Sequence, residues 1–319
     1  MSSAAAMAPG APPPVLRLND LHKQFGEVHA VNGVSLAVAP GEVVGLVGPD
    51  GAGKTTTMRM VAGLLTPNAG NVEVLGQELA AHLHALRPNI GYMPQHYSLY
   101  GDLSVQENLR FFAGMYGVPH DLMIEREARL LGIARLDEFR GRAAGALSGG
   151  MYKKLALSCA LIHEPRLLLL DEPTNGVDPL SRRELWHFLG ELVSEGVGVL
   201  ISTPYMDEAE RCGRVGLLVE GELVALDRPA ALEAGFDATV FDVGCADHVR
   251  ALGLLAEGDG VDQVYAVGRR LHVVSHRGPA FAAQIEATLA AAELGPSQIE
   301  VVAPSFEDIF IHLSVGAQA

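Results

Sequence analysis

From Val15 to about Gly235, short β-branched runs alternate with stretches whose apolar residues recur every three or four positions, the pattern of an α/β layered domain. It predicts strands at Val15–Leu18, Val34–Val38, Val43–Val47, Val72–Leu75, Ile90–Met93, Leu167–Leu170, Gly198–Ser202 and Val215–Val219. The runs at Val43 and Leu167 lack polar alternation, as strands of a parallel sheet covered on both faces do. Between roughly residues 97 and 160 the β-branched runs give way to amphipathic helix, predicting a helical subdomain inserted in the α/β core. Ser104 and Glu107 form a capping box ahead of one of its helices, and a second is predicted from about Asp121.

After Gly235 the texture changes. A strand at Thr239–Val243, a helix at Asp247–Leu255 and a hairpin from Val264 to Val274 turning at Gly268 are followed by a helix at Pro279–Ala292. A strand at Gln298–Val302 and a helix at Phe306–Leu313 complete it. This β-α-β-β-α-β order predicts a small ferredoxin-like α+β domain over residues 236–319, in an accessory or regulatory role. Residues 1–14 are Ala, Ser, Pro, Gly and Met with little else, and are expected to form a disordered tail rather than a secretory signal.

Composition narrows the function classes. Although 49% of the residues are hydrophobic, no apolar stretch approaches the ~20 residues that span a bilayer, so the hydropathy is assigned to buried strands. The formal charge is −15, and Lys23, Lys54, Lys153 and Lys154 are the only lysines, which argues against nucleic acid as a partner. Much of the acidic excess lies beyond Asp237. Cys159, Cys212 and Cys245 have no metal-like spacing and suit a reducing, cytoplasmic compartment.

Chemistry enters at Gly48-Pro49-Asp50-Gly51-Ala52-Gly53-Lys54-Thr55-Thr56, a G-x-x-x-x-G-K-[ST] loop between a predicted strand and a predicted helix. Its glycines let backbone N–H groups approach phosphates, Lys54 is expected to reach the β- and γ-phosphates, and Thr55 to place its hydroxyl on Mg²⁺. Thr56 stands where a dinucleotide fingerprint needs its third glycine, so the ligand is read as a nucleoside triphosphate. Asp50 adds a carboxylate beside the phosphates and is expected to turn outward. Asp171 and Glu172, at the end of the leucine run, are assigned to Mg²⁺ and to polarising the attacking water. Ser148, Gly149 and Gly150 at a helix start form a second candidate anion site.

The order of these motifs over Val15 to Gly235 resembles the nucleotide-binding domains of ABC transporters: the phosphate loop, a glutamine loop in Gly91-Tyr-Met-Pro-Gln95, the signature Leu147-Ser-Gly-Gly-Met151, then Asp171-Glu172 and a D-loop at Asn175-Gly-Val-Asp178. The resemblance implies the mixed-sheet P-loop NTPase cassette fold, with ATP and Mg²⁺ as ligands. It implies that Phe25 stacks on adenine, that Gln95 contacts Mg²⁺ and the attacking water, and that Asp178 contacts a second cassette across a head-to-tail dimer. Asp178 also reads as an N-cap ahead of Pro179. The phrase Asp171-Glu-Pro-Thr-Asn-Gly-Val-Asp-Pro179 and the C-terminal Pro304-Ser-Phe-Glu-Asp-Ile-Phe-Ile-His-Leu313 resemble the multidrug and polysaccharide exporter branch. There a polytopic permease is a separate polypeptide, which would place the chain peripherally on the cytoplasmic face of the membrane.

One departure stands out. Pro204, in Ser-Thr-Pro204-Tyr-Met-Asp-Glu, stands where the family carries a histidine that contacts the γ-phosphate, and proline has neither a side-chain donor nor an N–H. The readings left open are an ATPase with reduced turnover, a degenerate cassette that relies on a partner's site, and an ABC ATPase with no transport role.

Overall fold

The computed structural model describes residues 12–96, 99–295 and 298–316; most of the expected tail lies outside them. The chain separates into two units, Met1–Leu226 and Asp227–Ala319. The division precedes the expected boundary at Gly235, because the short helix at Pro229–Ala234 packs against the last helix of the chain.

In the first unit the elements are β1 (Leu16–Phe25), β2 (Val28–Val38), β3 (Val43–Val47), α1 (Lys54–Val61), β4 (Ala69–Val74), β5 (Gln77–Glu78), α2 (Leu79–Leu86) and β6 (Ile90–Met93). Next come α3 (Val105–Met115), α4 (His120–Ala134), α5 (Gly149–Leu161), β7 (Leu167–Asp171), α6 (Pro179–Ser194), β8 (Gly198–Thr203), α7 (Met206–Ala209), β9 (Arg214–Val219) and β10 (Glu222–Asp227). The central sheet runs β10-β9-β3-β8-β7-β6, with β9, β3, β8, β7 and β6 paired in parallel, and a second sheet runs β2-β1-β4-β5 with antiparallel pairing.

Strand alternation explains where the core sits. Leu167 and Leu169 of β7, Val44 and Leu46 of β3 and Leu200 of β8 join one apolar cluster with Met58 and Val61 of α1 and with Leu16, Leu18, Val31 and Val34 of the second sheet. Leu168 and Leu170 point to the other face and are also fully buried, so β7 is covered on both sides, which accounts for its unbroken leucine run. At roughly 1.5–3 kcal/mol per buried leucine, this strand is among the strongest local contributions to the fold.

β1 and β2 extend well past their predicted apolar cores. Asn19 to Phe25 are mostly polar and the β1–β2 ladder carries register shifts between Leu18 and Gln24, so no clean period of two marks the strand. β5 and β10, a two-residue edge and a strand without buried positions, were likewise not predicted.

The helical segment forms as expected. Ser104 caps α3 through the Glu107 N–H while the Glu107 carboxylate accepts from the Ser104 N–H, and Glu127 of α4, almost fully buried, accepts from Gln106 and Arg110 of α3 and from Arg140. Glu127, Gln106 and Arg110 thus join α3 to α4, and Arg140 ties the following loop to the same carboxylate.

The second unit contains α8 (Pro229–Ala234), β11 (Thr239–Gly244), α9 (His248–Ala256), β12 (Gln263–Val267), β13 (Arg270–Ser275), α10 (Ala282–Ala291), β14 (Gln298–Val302) and α11 (Phe306–Gly316). Its sheet runs β12-β13-β11-β14, antiparallel throughout, and Phe241, Leu255, Val273, Ile285 and Leu289 form its own core with α9 and α10. Among the described residues no helix is long and apolar enough to cross a membrane.

His163, just after α5, stacks on Tyr116 at the end of α3 with ring centroids 3.7 Å apart and planes 5° from parallel, and its Nε2–H donates to the Ile90 carbonyl at 3.2 Å. Burial pushes its pKa down to about 4 despite that carbonyl. In the unfolded chain the ring titrates near 6.5, so the neutral stack contributes fully above that pH and is lost as pH falls toward about 4. Unfolding free energies from urea titrations between pH 7 and pH 4 are expected to fall more steeply for the wild type than for His163→Phe, by on the order of 3 kcal/mol.

Candidate nucleotide-binding site

The phosphate loop joins β3 to α1, and its conformation is enforced by neighbouring backbone. Gly53 has φ 103°, and a Cβ there would lie 2.2 Å from the Ala30 carbonyl oxygen at the start of β2. Only glycine lets the loop pass under that strand. The loop leads into the N-terminus of α1, whose first N–H groups have no intrahelical acceptors. Lys54 is almost fully buried and its Nζ donates to the carbonyls of Gly48 at 2.7 Å and Pro49 at 2.9 Å, so the ammonium lies inside the curl of the loop. Burial lowers its pKa, while Glu172, Asp50 and Asp171 act in the opposite sense and favour the charged form.

Register in the parallel sheet then places the acids. Asp171 continues the side of β7 that carries Leu167 and Leu169, the side facing α1, and it pairs across the ladder with Ser202 of β8. Its Oδ1 accepts from Ser202 Oγ at 2.6 Å and from Thr55 Oγ1 at 3.0 Å. Asp171 is fully buried and its Oδ2 has no hydrogen-bond partner among the described residues.

At Glu172 the strand ends in a left-handed turn with φ 48°, uncommon for a side chain with a Cβ. Its N–H donates to Ser202 O at 3.1 Å and Ser202 Oγ at 3.0 Å, which holds that turn. The Glu172 carboxylate, itself nearly buried, accepts on Oε2 from Gln95 Nε2 at 2.8 Å and from Asn175 Nδ2 at 3.1 Å. Lys153 of α5 donates to the Gln95 carbonyl at 3.3 Å. Burial lowers its pKa, and Glu172 and Asp171 oppose that shift.

Asp50, Gly51, Ala52, Gly53, Lys54, Thr55, Thr56, Gln95 and Glu172 line one open cleft. Asp50, among these lining residues, is itself exposed, and its charge favours the ammonium form of Lys54. The remaining predicted residues lie off this cleft. Phe25 is half exposed at the tip of the β1–β2 hairpin, with Lys23 Nζ 5.3 Å from its ring centroid. Ser148 is exposed and caps α5 through the Met151 N–H at 3.3 Å, with Gly149 exposed beside it. Gly150 is buried, and a Cβ there would lie 2.2 Å from Ser181 Oγ, so α5 and α6 start in close contact. Asp178 caps α6, accepting from Leu180 N–H at 3.1 Å and Ser181 N–H at 3.0 Å; the Ser181 hydroxyl first, and then these N–H groups, hold its carboxyl below the usual range.

Pro204 follows β8 directly, one residue past Thr203, which pairs with Val47 at the entrance to the loop. Neither neighbour is free to replace a histidine. The buried Thr203 hydroxyl donates to Glu208 Oε2 at 2.7 Å and accepts from Tyr205 N–H, and the Tyr205 ring lies under the Arg182 guanidinium at 4.3 Å.

The profile of the ABC transporter family matches residues 31–175. The Nod factor export ATP-binding protein I of Ralstonia nicotianae is 37% identical over 241 residues, 75% of this chain and 73% of that protein. The chain belongs to the ABC transporter family. The probable multidrug ABC transporter ATP-binding protein YbhF of Escherichia coli is 45% identical over 220 residues, 69% of this chain; the match spans only 38% of YbhF. Among solved structures, an ATP-binding subunit of an ABC transporter aligns with TM-score 0.64 at 32% identity, over 69% of this chain and 92% of that one. A dimeric ATP-binding cassette in a post-hydrolysis state with ADP and phosphate aligns with TM-score 0.61 at 26% identity, over 67% and 98%. The first unit therefore has the fold of an ABC cassette, an α/β P-loop NTPase.

Sequence reasoning about the cassette missed Ser202, Asn175 and Lys153 as members of the site. Ser202 was legible only through strand register, because it acts from a strand 31 residues away from Asp171. Replacing Ser202 by Ala leaves Asp171 with one protein hydrogen bond, from Thr55, and leaves the Glu172 N–H only the Ser202 carbonyl. Urea unfolding is expected to show a loss of about 1–3 kcal/mol. In a second test, Asp50→Asn removes a negative charge from the cleft, and calorimetric titration is expected to show nucleotide binding several-fold tighter at low salt, with the gain shrinking as salt rises.

Proposed function

We propose that the chain binds and hydrolyses ATP as the motor subunit of an exporter, working in pairs and docked to a polytopic permease on the cytoplasmic face of a membrane. The observation that carries this reading is the convergence of Lys54, Thr55, Gln95 and Glu172 on one cleft, with buried Asp171 hydrogen-bonded to Thr55. Export is favoured because the relatives named for multidrug transport and Nod factor export share most of the cassette.

Mg²⁺ suits the Thr55–Asp171 pair, since the unpartnered, buried Asp171 Oδ2 is a hard anionic oxygen of the kind that cation takes. When bound, Mg²⁺ supplies charge neutralisation on the transferred phosphoryl group. Lys54 offers a desolvated ammonium to the β- and γ-phosphates, exchanging its two loop carbonyls for phosphate oxygens. Glu172 accepts the proton of the attacking water. Gln95 and Asn175 fix that carboxylate through Oε2, so Oε1 is the oxygen placed to act.

Phe25, exposed at a hairpin tip beside the loop, offers its ring to adenine. The exposed signature at Ser148 and Gly149 and the D-loop Asp178 lie off this cleft, consistent with their facing nucleotide held by a second cassette. The C-terminal unit serves as an accessory domain.

Pro204 favours a second form of the same reading, in which the cassette binds ATP but depends on a partner's site for turnover, because Thr203 and Tyr205 are committed elsewhere. Steady-state ATPase of the purified chain separates the two. Glu172→Gln is expected to lower turnover by about 10²-fold or more, and Pro204→His to raise it. Turnover indifferent to Glu172 would leave only the binding role, and failure to co-purify a polytopic membrane protein from mild detergent would remove export.

A further inference from the structure

The second unit carries a cluster of metal-ligating side chains that the cassette chemistry does not use. Asp237 precedes β11, His276 follows β13 and His312 lies on α11. One ligand atom from each comes within 4.8 Å of the other two. Antiparallel pairing of Thr239 with Ser275 brings the first two to the same end of the sheet. α11 is anchored over β12 and β13: buried Asp308 accepts from Tyr265 and His272, and Gln263 Nε2 donates to the His312 carbonyl at 3.3 Å. The juxtaposition is therefore built by three separate elements.

The orientation of His276 is fixed from behind. Its backbone N–H and ring Nδ1 both donate to Asp262 Oδ2, at 2.8 and 2.7 Å. A carboxylate only accepts, so Nδ1 carries the hydrogen and Nε2 is left to present a lone pair, the arrangement by which a carboxylate orients a metal-bound histidine. Nε2 faces Asp237 Oδ1 at 3.3 Å. A nitrogen lone pair opposite a carboxylate oxygen requires a cation between them, either a proton or a metal ion. The third group decides. A second imidazole adds nothing to a His–Asp ion pair, yet the His312 ring sits 5.4 Å from that of His276, braced by Phe236 at 5.1 Å, and its Nδ1 is buried with no protein partner among the described residues.

We propose that Asp237, His276 and His312 bind a borderline divalent cation of the zinc class, with Asp262 orienting His276 and water completing the shell. Two imidazoles and one carboxylate suit that class and exclude Mg²⁺, which prefers oxygen throughout. Bond lengths of about 2.0–2.2 Å need the donors drawn inward by roughly 1 Å, a rotamer adjustment open to the exposed Asp237. The bound ion cross-links α11 to the end of the sheet.

The test uses Co²⁺ as an optical probe on the full chain, stripped of metal and held in excess Mg²⁺ so that hard-cation sites do not compete. One equivalent per chain is expected to produce visible d–d bands that Zn²⁺ abolishes. His276→Ala and Asp237→Ala are expected to remove the bands while the circular dichroism spectrum is retained, and Asp262→Asn to weaken binding at least tenfold. Asp237 and His276 are exposed, so these variants keep the test valid if His312→Ala disturbs α11. Absence of a saturable one-to-one band, or bands that survive both Asp237→Ala and His276→Ala, would overturn the site and leave a protonated His–Asp pair.

Discussion

The arrangement of the cassette depends on one buried carboxylate shared between two strands and a helix. Asp171 Oδ1 holds the hydroxyls of Ser202 and Thr55, so a single oxygen ties the end of β7 to the end of β8 and to the first turn of α1. A fully buried carboxylate is costly unless its charge is met, and here two hydroxyls and the nearby Lys54 meet part of it. What is left over is Oδ2, which no described residue meets with a hydrogen bond. The same Ser202 hydroxyl also accepts from the Glu172 N–H, so one residue, through its hydroxyl and its carbonyl, bears on both the fixed acid and the turn that follows it.

Charge in the cleft is balanced to keep a lysine cationic in a place that disfavours it. Burial works against the Lys54 ammonium, and three carboxylates work for it, Glu172 foremost. The loop carbonyls of Gly48 and Pro49 supply local acceptors that phosphate oxygens can replace without desolvating the lysine again. Lys153 extends the same field from α5, whose N-terminus carries the signature, to the backbone of Gln95 and thereby toward the amide that grips Glu172. A physical connection therefore runs from α5 to the Glu172 carboxylate within one chain.

The second unit solves a different problem. Its four-stranded sheet is covered on one side by α9 and α10, and α11 is fastened by polar contacts to β12 and β13. Asp308 does much of this, accepting from Ser305, Tyr265 and His272, and its burial raises its pKa even as the Ser305 N–H opposes the shift. A cation held by Asp237, His276 and His312 would fasten the same helix nearer its end.

The phosphate loop, the acids after the leucine run and the capping box were legible along the chain, because each is a local pattern whose chemistry is set by neighbours in sequence. The alternation of strands and helices was legible for the same reason, as was the order of elements beyond Gly235. Polar, bulged β1 and β2 were read too short, since their stability comes from pairing rather than from a period of two. The hydroxyl of Thr203 is spent on Glu208, an outcome that only the packing of α7 against β8 decides. By itself the sequence determined which candidate phosphate-binding groups exist. Only the tertiary structure decided which of them meet, because strand register and helix packing join residues that are tens of positions apart, as Ser202 is from Asp171 and His312 from His276.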